Sequence, residues 1–161
     1  MSRVSVLNEQ RWLVAVFVAI LICVRPAGAR TTPNFSGTWE QVSSSDPTIT
    51  DQTQTVVQTL TTLTVGHPSS PRGGHKFVYK LDGSESRSTL MNIESVAKIS
   101  VQGDRLTISR IDTYPDGRIR ENRQVWSVDP TGNLVIESTD GLKGGVTTTR
   151  EVVYKKRVPV K

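Results

Sequence analysis

The chain has 161 residues, a formal net charge of +5 and a single cysteine. A positive charge this small argues against a nucleic-acid-binding surface, which requires dense clusters of lysine and arginine. One cysteine cannot form an internal disulfide, so apolar burial and backbone hydrogen bonds have to stabilise the fold.

The N-terminus has the pattern of a secretory signal peptide. An unbroken apolar run, Trp12–Val24, is followed by the small residues Ala27-Gly28-Ala29 at a cleavage position. The run is shorter than the roughly 20 residues that span a bilayer, which disfavours the alternative of an uncleaved anchor. We predict a leader over 1–29 and one mature domain over 30–161, in a secreted (periplasmic or extracellular) protein. Cleavage removes Cys23, three basic residues and one acidic residue, which leaves a net charge of +3.

The rest of the chain is typical of short strands separated by turns. β-branched and aromatic residues alternate with polar ones between clusters of Gly, Pro, Asp and Ser. The predicted strands cover 35–42, two segments within 49–65 that break near 59–61, 76–81, 84–89, 94–102, 105–114, 118–128, 134–139 and 146–156.

Three local features are predicted within this series. Asp82-Gly83 favours a two-residue hairpin between its flanking strands, because Gly accepts the positive φ that such turns require. Ile111 is out of phase with Leu106 and Ile108, which predicts a bulge near Arg110. A less regular crossing is expected over 90–93.

This pattern predicts an all-β fold. Local turns throughout favour an antiparallel up-and-down β-barrel of 8–10 strands, because closing the sheet removes its exposed edges. A β-sandwich is the alternative. No helical pattern is present over 43–50, so no helical lid is expected.

The first strand carries a motif. Phe35-Ser36-Gly37-Thr38-Trp39 resembles the F-x-G-x-W signature of lipocalins and related calycins, and the chain is similar to secreted bacterial lipocalin-like proteins. Tyr79–Gly83 and Val153–Lys156 also resemble that group. The resemblance implies a barrel with an interior pocket, and a basic residue of the last strand packed over Trp39. Arg150 is the candidate for that residue, with Arg157 as the alternative.

Phe35, Gly37 and Trp39 share one face of the first strand, because side chains alternate along an extended chain. We interpret them as a plug at one end of the barrel, together with Arg150. Gly37 would let another element approach closely.

A second face on the strand over 118–128 carries Arg118, Arg120, Asn122, Gln124 and Trp126. Either the interior is polar there and holds an anionic group, or this face meets solvent. The second interpretation puts Arg123 inside instead, since Arg123 shares a face with Ile119 and Val125.

Metal, cofactor and enzyme sites are not predicted. His67 and His75 flank a Pro/Gly-rich loop, but zinc requires three or four ligands and the mature chain has no further His or Cys. No nucleophile elbow and no phosphate-binding Gly-rich loop are found.

Two functions remain open. The barrel binds a small hydrophobic or amphipathic ligand inside, lined by Trp39, Phe77 and Tyr79 with Arg123 as a polar anchor. Alternatively, it acts as an inhibitor or partner-binding protein through the segments 67–74 and 140–145. We expect a monomer without a nucleic-acid partner or a membrane anchor after cleavage.

Overall fold

A computed structural model describes residues 33–49, 52–68 and 74–158. The predicted leader over 1–29 lies outside these residues, as does part of the loop over 67–74. Ten β-strands make up the described chain: β1 (Gly37–Ser44), β2 (Thr53–Gln58), β3 (Thr62–His67), β4 (His75–Lys80), β5 (Ser86–Leu90), β6 (Ile93–Gln102), β7 (Arg105–Thr113), β8 (Ile119–Val128), β9 (Leu134–Leu142) and β10 (Thr147–Lys156).

The strands form a single antiparallel sheet rolled into a nearly closed barrel. Its order is β4-β3-β2-β1-β10-β9-β8-β7-β6-β5, so every strand except β1 and β10 pairs only with sequence neighbours. The predicted barrel is therefore confirmed, with ten strands. The described residues contain no helix, and consequently none that could cross a membrane.

The first and last strands close the barrel. Trp39 pairs with Lys156, and the register shifts between Gln41 and Ser43 of β1 before Ser44 pairs with Val152. This irregularity bends β1 around the barrel. The predicted bulge near Arg110 is wrong, because β7 pairs without a register shift over its whole length.

The physical reason is that Ile111 points outward. Along β7 the inward residues are Leu106, Ile108, Arg110 and Asp112, and Ile111 keeps 49% of its surface exposed. The strand alternates regularly, but its inward face changes from apolar to charged. The prediction assumed that apolar residues always face inward.

The sheet has one seam. No ladder joins β4 to β5, although the turn around Asp82-Gly83 connects them. Between the described residues of the two strands, the Lys80 amide donates to Ser86 Oγ at 2.8 Å. The predicted hairpin is therefore wrong, because the two strands that leave this turn diverge.

The connection over 90–93 is tighter than predicted. Leu90 pairs directly with Ile93, so that β5 and β6 are joined by a two-residue hairpin. Met91 and Asn92 both have positive φ, 51° and 62°, which is the geometry of a type I′ turn. Neither residue is a glycine, and this is why the composition did not indicate a tight turn.

The interior is divided along the barrel axis. We call the end that holds the mostly apolar residues the apolar half; it contains Phe35, Trp39, Leu63, Leu106, Trp126 and Leu134, all buried. We call the other end the polar half; its inward residues include Ser95, Arg110, Asp112, Arg120, Asn122, Asp140 and Arg150. Strands β6 to β10 each change from apolar to polar residues along their inward face.

Candidate functional site

Aromatic side chains fill the apolar half. Trp39 is 2% exposed and its indole N–H donates to the carbonyl of Phe35 at 2.9 Å. The Phe35 ring meets Trp126 edge to face, with centroids 5.8 Å apart. These contacts bury three large aromatics with their polar atoms satisfied, so this half is a packed core.

A lysine covers Trp39. Lys156 Nζ lies 5.4 Å from the centre of the indole, within cation–π range. Gly37 leaves room for the lysine stem: a Cβ at this position would lie 2.6 Å from Lys156 Cε, and its φ of +153° also favours glycine. The predicted partner Arg150 is corrected, because the register places Lys156 opposite Trp39 and Arg150 six positions away on β10.

The main cavity lies inside the barrel above this core, with a volume of about 510 Å³. Apolar side chains from β3, β8, β9 and β10 form one part of its wall: Val65, Trp126, Ile136 and Val152. Polar side chains form the rest, among them Gln54, His67, His75, Gln124, Ser138 and Arg150. A cavity of this size and mixed polarity accommodates a small amphipathic molecule.

Two tyrosines belong to the cavity wall. Tyr79 is 6% exposed, and burial raises the pKa of its hydroxyl above the usual value. Burial also raises the pKa of Tyr154 to about 12, and its hydroxyl lies 3.3 Å from Gln52 Oε1, to which it donates. Both phenols therefore stay neutral at physiological pH.

The two histidines face each other across paired strands. His67 pairs with His75, and their ring centroids lie 5.1 Å apart at the cavity wall. Burial, with smaller contributions from His75 and Arg110, lowers the pKa of His67 to about 4, so its imidazole is neutral at pH 7. No group of three or more His, Cys, Asp or Glu side chains in the described ranges is placed to hold a metal ion.

A smaller cavity of about 150 Å³ adjoins His75. Phe77 lies in its wall rather than in that of the main cavity. Arg110 stacks on the Phe77 ring, 5.0 Å from the centroid, and its Nε lies 3.1 Å from the Asp112 carboxylate. Ser95 Oγ donates to that carboxylate at 2.6 Å. Arg110 and Asp112 thus satisfy each other inside the barrel.

A second ion pair lies at the end of the polar half. Arg120 donates from Nε to Asp140 Oδ1 at 2.8 Å and from a second nitrogen to Asp140 Oδ2. These hydrogen bonds raise the pKa of Arg120 above its usual value. Arg120 thus has a carboxylate partner already. Arg150, which lines the main cavity, forms no salt bridge with any described residue.

The inward face of β8 is the one that sequence analysis left open. Asn122 and Trp126 are buried and Gln124 lines the main cavity, so the interior is polar along this face; that the face holds an anionic group stays a prediction. Arg123 lies on the outer surface and is exposed, which corrects its predicted place as an interior anchor. Its neighbours Ile119 and Val125 were expected to mark the core face, but the inward face of β8 is mostly polar.

Two buried polar atoms have no hydrogen-bond partner within the described part of the chain: Gln54 Nε2 and His75 Nδ1. Both side chains line the main cavity. Sequence analysis missed Gln54 altogether, because Gln is frequent throughout the stretch over 52–58. Only its position opposite Trp39, on the inward face of β2, distinguishes it.

Comparisons with known proteins identify the fold only. No family model matches the chain, and no similar curated protein was found. Among solved structures, the zebrafish ileal bile acid-binding protein complexed with cholic acid gives a TM-score of 0.57 at 19% identity, over 76% of this chain and 98% of that one.

Two proteins of Ramazzottius varieornatus have similar structures. A secretory abundant heat soluble protein gives a TM-score of 0.55 at 17% identity, over 80% of this chain and 98% of that one. Secretory abundant heat soluble protein 4 gives a TM-score of 0.51 at 14% identity, over 76% of this chain and 94% of that one. The chain therefore has a lipocalin-like β-barrel fold, as its first-strand motif indicated.

Proposed function

We propose that the protein binds a small amphipathic molecule with an anionic group in the main cavity of its barrel. The observation that carries this proposal is the cavity itself, about 510 Å³ in volume and bounded by both apolar and polar side chains. A barrel that acts only through its surface has no need of such a space, because filling it with side chains stabilises the fold.

The side chains of the cavity wall indicate which class of ligand the cavity binds. Val65, Trp126, Ile136 and Val152 supply an apolar surface for a hydrocarbon portion. Arg150 supplies a guanidinium that binds carboxylate or sulfonate groups through paired hydrogen bonds. The zebrafish structure, whose barrel is similar, holds an amphipathic acid, which supports a ligand of this class.

The alternative of a surface-acting barrel receives less support. The segment over 140–145 is not a protruding loop: β9 continues to Leu142, and Gly145 donates to the Leu142 carbonyl in a tight turn. The other segment, over 67–74, lies partly outside the described residues. The cavity therefore favours a ligand-binding function over a surface-acting barrel.

Export belongs to the proposal as well. Residues 1–29 have the pattern of a leader, and the mature protein would then act in the periplasm or outside the cell. The intact mass of the protein recovered from the compartment outside the cytoplasm tests this. A mass that corresponds to a chain beginning at Arg30 supports cleavage. A mass that still includes the apolar run rejects it.

Filling the cavity tests the binding site. Val152 is buried at the cavity wall, and Val153, its neighbour, is on the other face of β10. We expect Val152→Phe to lower the affinity for dodecanoate at least tenfold by calorimetric titration, because the added ring occupies the ligand space. Val153→Phe is the matched control and should bind as the unchanged protein does.

Circular dichroism has to show that both variants remain folded. Equal affinities for Val152→Phe and Val153→Phe would place the binding site outside the cavity. An unchanged protein that binds neither dodecanoate nor any molecule extracted with it from its host would reject the binding function.

A further inference from the structure

We propose that Gln54 donates a hydrogen bond to the ligand, and that the ligand carries a neutral oxygen acceptor, carbonyl or hydroxyl, at the end remote from its anionic group. This inference rests on the proposed function and adds the second recognition element. It makes the ligand an oxygenated amphipathic acid rather than a plain one.

Gln54 is the first observation. Its side chain is 2% exposed, and Nε2 has no partner among the described residues. An unpaired buried amide donor destabilises a fold, and more than nine in ten such groups in proteins are bonded. A buried donor that lines a ligand-sized cavity is accounted for by an acceptor on the ligand.

Other glutamines of the chain show the contrast. The amide of Gln58 donates to the Pro33 carbonyl and accepts from the Phe35 amide, both at 2.9 Å. Gln41 donates to the Ile49 carbonyl. Gln124 accepts from the Trp126 indole. These amides have structural partners, whereas the donor nitrogen of Gln54 lies at the cavity without a partner among the described residues.

The position of Gln54 separates it from the cation. Gln54 pairs with Trp39, which pairs with Lys156 of β10, and Arg150 lies six positions from Lys156 toward the polar half. Six positions correspond to roughly 20 Å measured along a strand. Both side chains line the same cavity, so one elongated ligand can contact the two at different ends.

The surroundings of Gln54 favour a neutral acceptor over a second anion. The pairing of Thr55 with Gly66 places Gln54 opposite His67, whose imidazole is neutral at pH 7, and His67 pairs with His75. The second unpartnered atom, His75 Nδ1, belongs to this same strip. Gln54 and the neutral His67 offer hydrogen bonds without full charges, which suits a carbonyl or hydroxyl group.

Matched ligands test the assignment. Dodecanoate and 11-oxododecanoate differ by one ketone at the end remote from the carboxylate, and calorimetric titration gives the ratio of their affinities. We expect Gln54→Leu to change this ratio about tenfold in favour of dodecanoate, because the ketone loses its donor in the variant. Gln102→Leu, an exposed site on β6, is the control and should leave the ratio unchanged.

The outcomes separate the two proposals. An unchanged ratio in a folded Gln54→Leu variant that still binds dodecanoate would overturn the role of Gln54 and leave the binding function intact. Equal weakening of both acids would also overturn it, since Gln54 would then only shape the wall. If the unchanged protein binds neither acid, the binding function itself fails. Gln54→Met replaces Gln54→Leu should the latter not fold.

Discussion

The two halves of the barrel interior are built from the same strands but differ in how their side chains are stabilised. In the apolar half, Phe35 contacts both Trp39 and Trp126, and the indole N–H of each tryptophan is hydrogen-bonded. In the polar half, Arg110 pairs with Asp112 of the same strand, and Arg120 pairs with Asp140 of the neighbouring strand. Apolar packing therefore dominates one half, and paired charges dominate the other.

This division teaches that an inward strand face can change its character halfway. On β7 two apolar inward residues, Leu106 and Ile108, precede Arg110 and Asp112. A short strand in a packed protein seldom tolerates inward charges unless they are paired. Here the pairing of Arg110 with Asp112 makes these charges tolerable, and β7 contributes both to the apolar core and to the wall of the smaller cavity.

The largest expected effect is at Trp39. Trp39→Ala should lower the free energy of unfolding by about 3–5 kcal/mol, because it removes a fully buried indole and leaves a hole in the apolar half. Chemical denaturation measures this loss. Val42→Ala on the same strand, where the side chain is 56% exposed, is the control, with an expected loss below about 0.5 kcal/mol.

The same variant sharpens the contrast between the halves. Where Trp39→Ala still folds, its affinity for dodecanoate should stay within about twofold of the unchanged protein, because Trp39 is not part of the cavity wall. A stability loss below about 1 kcal/mol would mean that the apolar half is not the core described above.

The next effect is the pH dependence contributed by His67. Its pKa is about 4 in the folded protein and 6.5 in the unfolded chain, so the unfolded chain binds the extra proton between these values. The free energy of unfolding should therefore fall as the pH is lowered from 7 to 4, by about 2–3 kcal/mol from this residue. Nearby His75 and Arg110 oppose a charge on His67.

Comparison with His67→Gln isolates this contribution. Urea unfolding at pH 7, 5.5 and 4 should show that the substituted protein loses less stability on acidification than the unchanged one. Identical pH profiles for the two proteins would show that His67 titrates normally, and the cavity wall around His67 would then be more open to water than its burial indicates.

The smallest expected effect is the loss of affinity on replacing Arg150, the cation that lines the main cavity. Arg150→Met should weaken dodecanoate binding about tenfold, which corresponds to ~1.4 kcal/mol, and leave methyl dodecanoate unaffected because that ester carries no charge. Arg123→Met is the matched control on the outer surface. A similar loss with Arg123→Met would mean that the anion is held outside the barrel.

Much of the fold could be predicted from the sequence because its signals are local. Turn residues divide the chain into strands, and the break between β2 and β3 falls at the predicted position over 59–61. The first-strand motif indicated the lipocalin-like barrel. The seam between β4 and β5 could not be predicted, since Asp82-Gly83 is an ordinary hairpin sequence and the divergence of its strands depends on the whole sheet.

The site was harder to predict because it depends on register and not on residue type. Arg120 and Arg123 lie on opposite faces of the same strand. The apolar residues that share a face with Arg123 led to the wrong prediction that this face points inward. Lys156 covers Trp39 because the irregularity at Gln41 sets the pairing of β1 with β10. Gln54 differs from the other glutamines only in that its buried amide nitrogen has no partner in the described part of the chain.

The pairing of β1 with β10 also governs when the barrel can form. All other ladders join strands that follow one another along the chain, whereas this one brings Trp39 against Lys156 from opposite ends of the domain. Contacts of such long sequence separation form slowly, because the intervening chain must first be ordered. The last strand must therefore have emerged before the first can be shielded on both sides. Until then the chain forms two separate antiparallel ribbons, β1–β4 and β5–β9, and the edge of β1 is open to other chains.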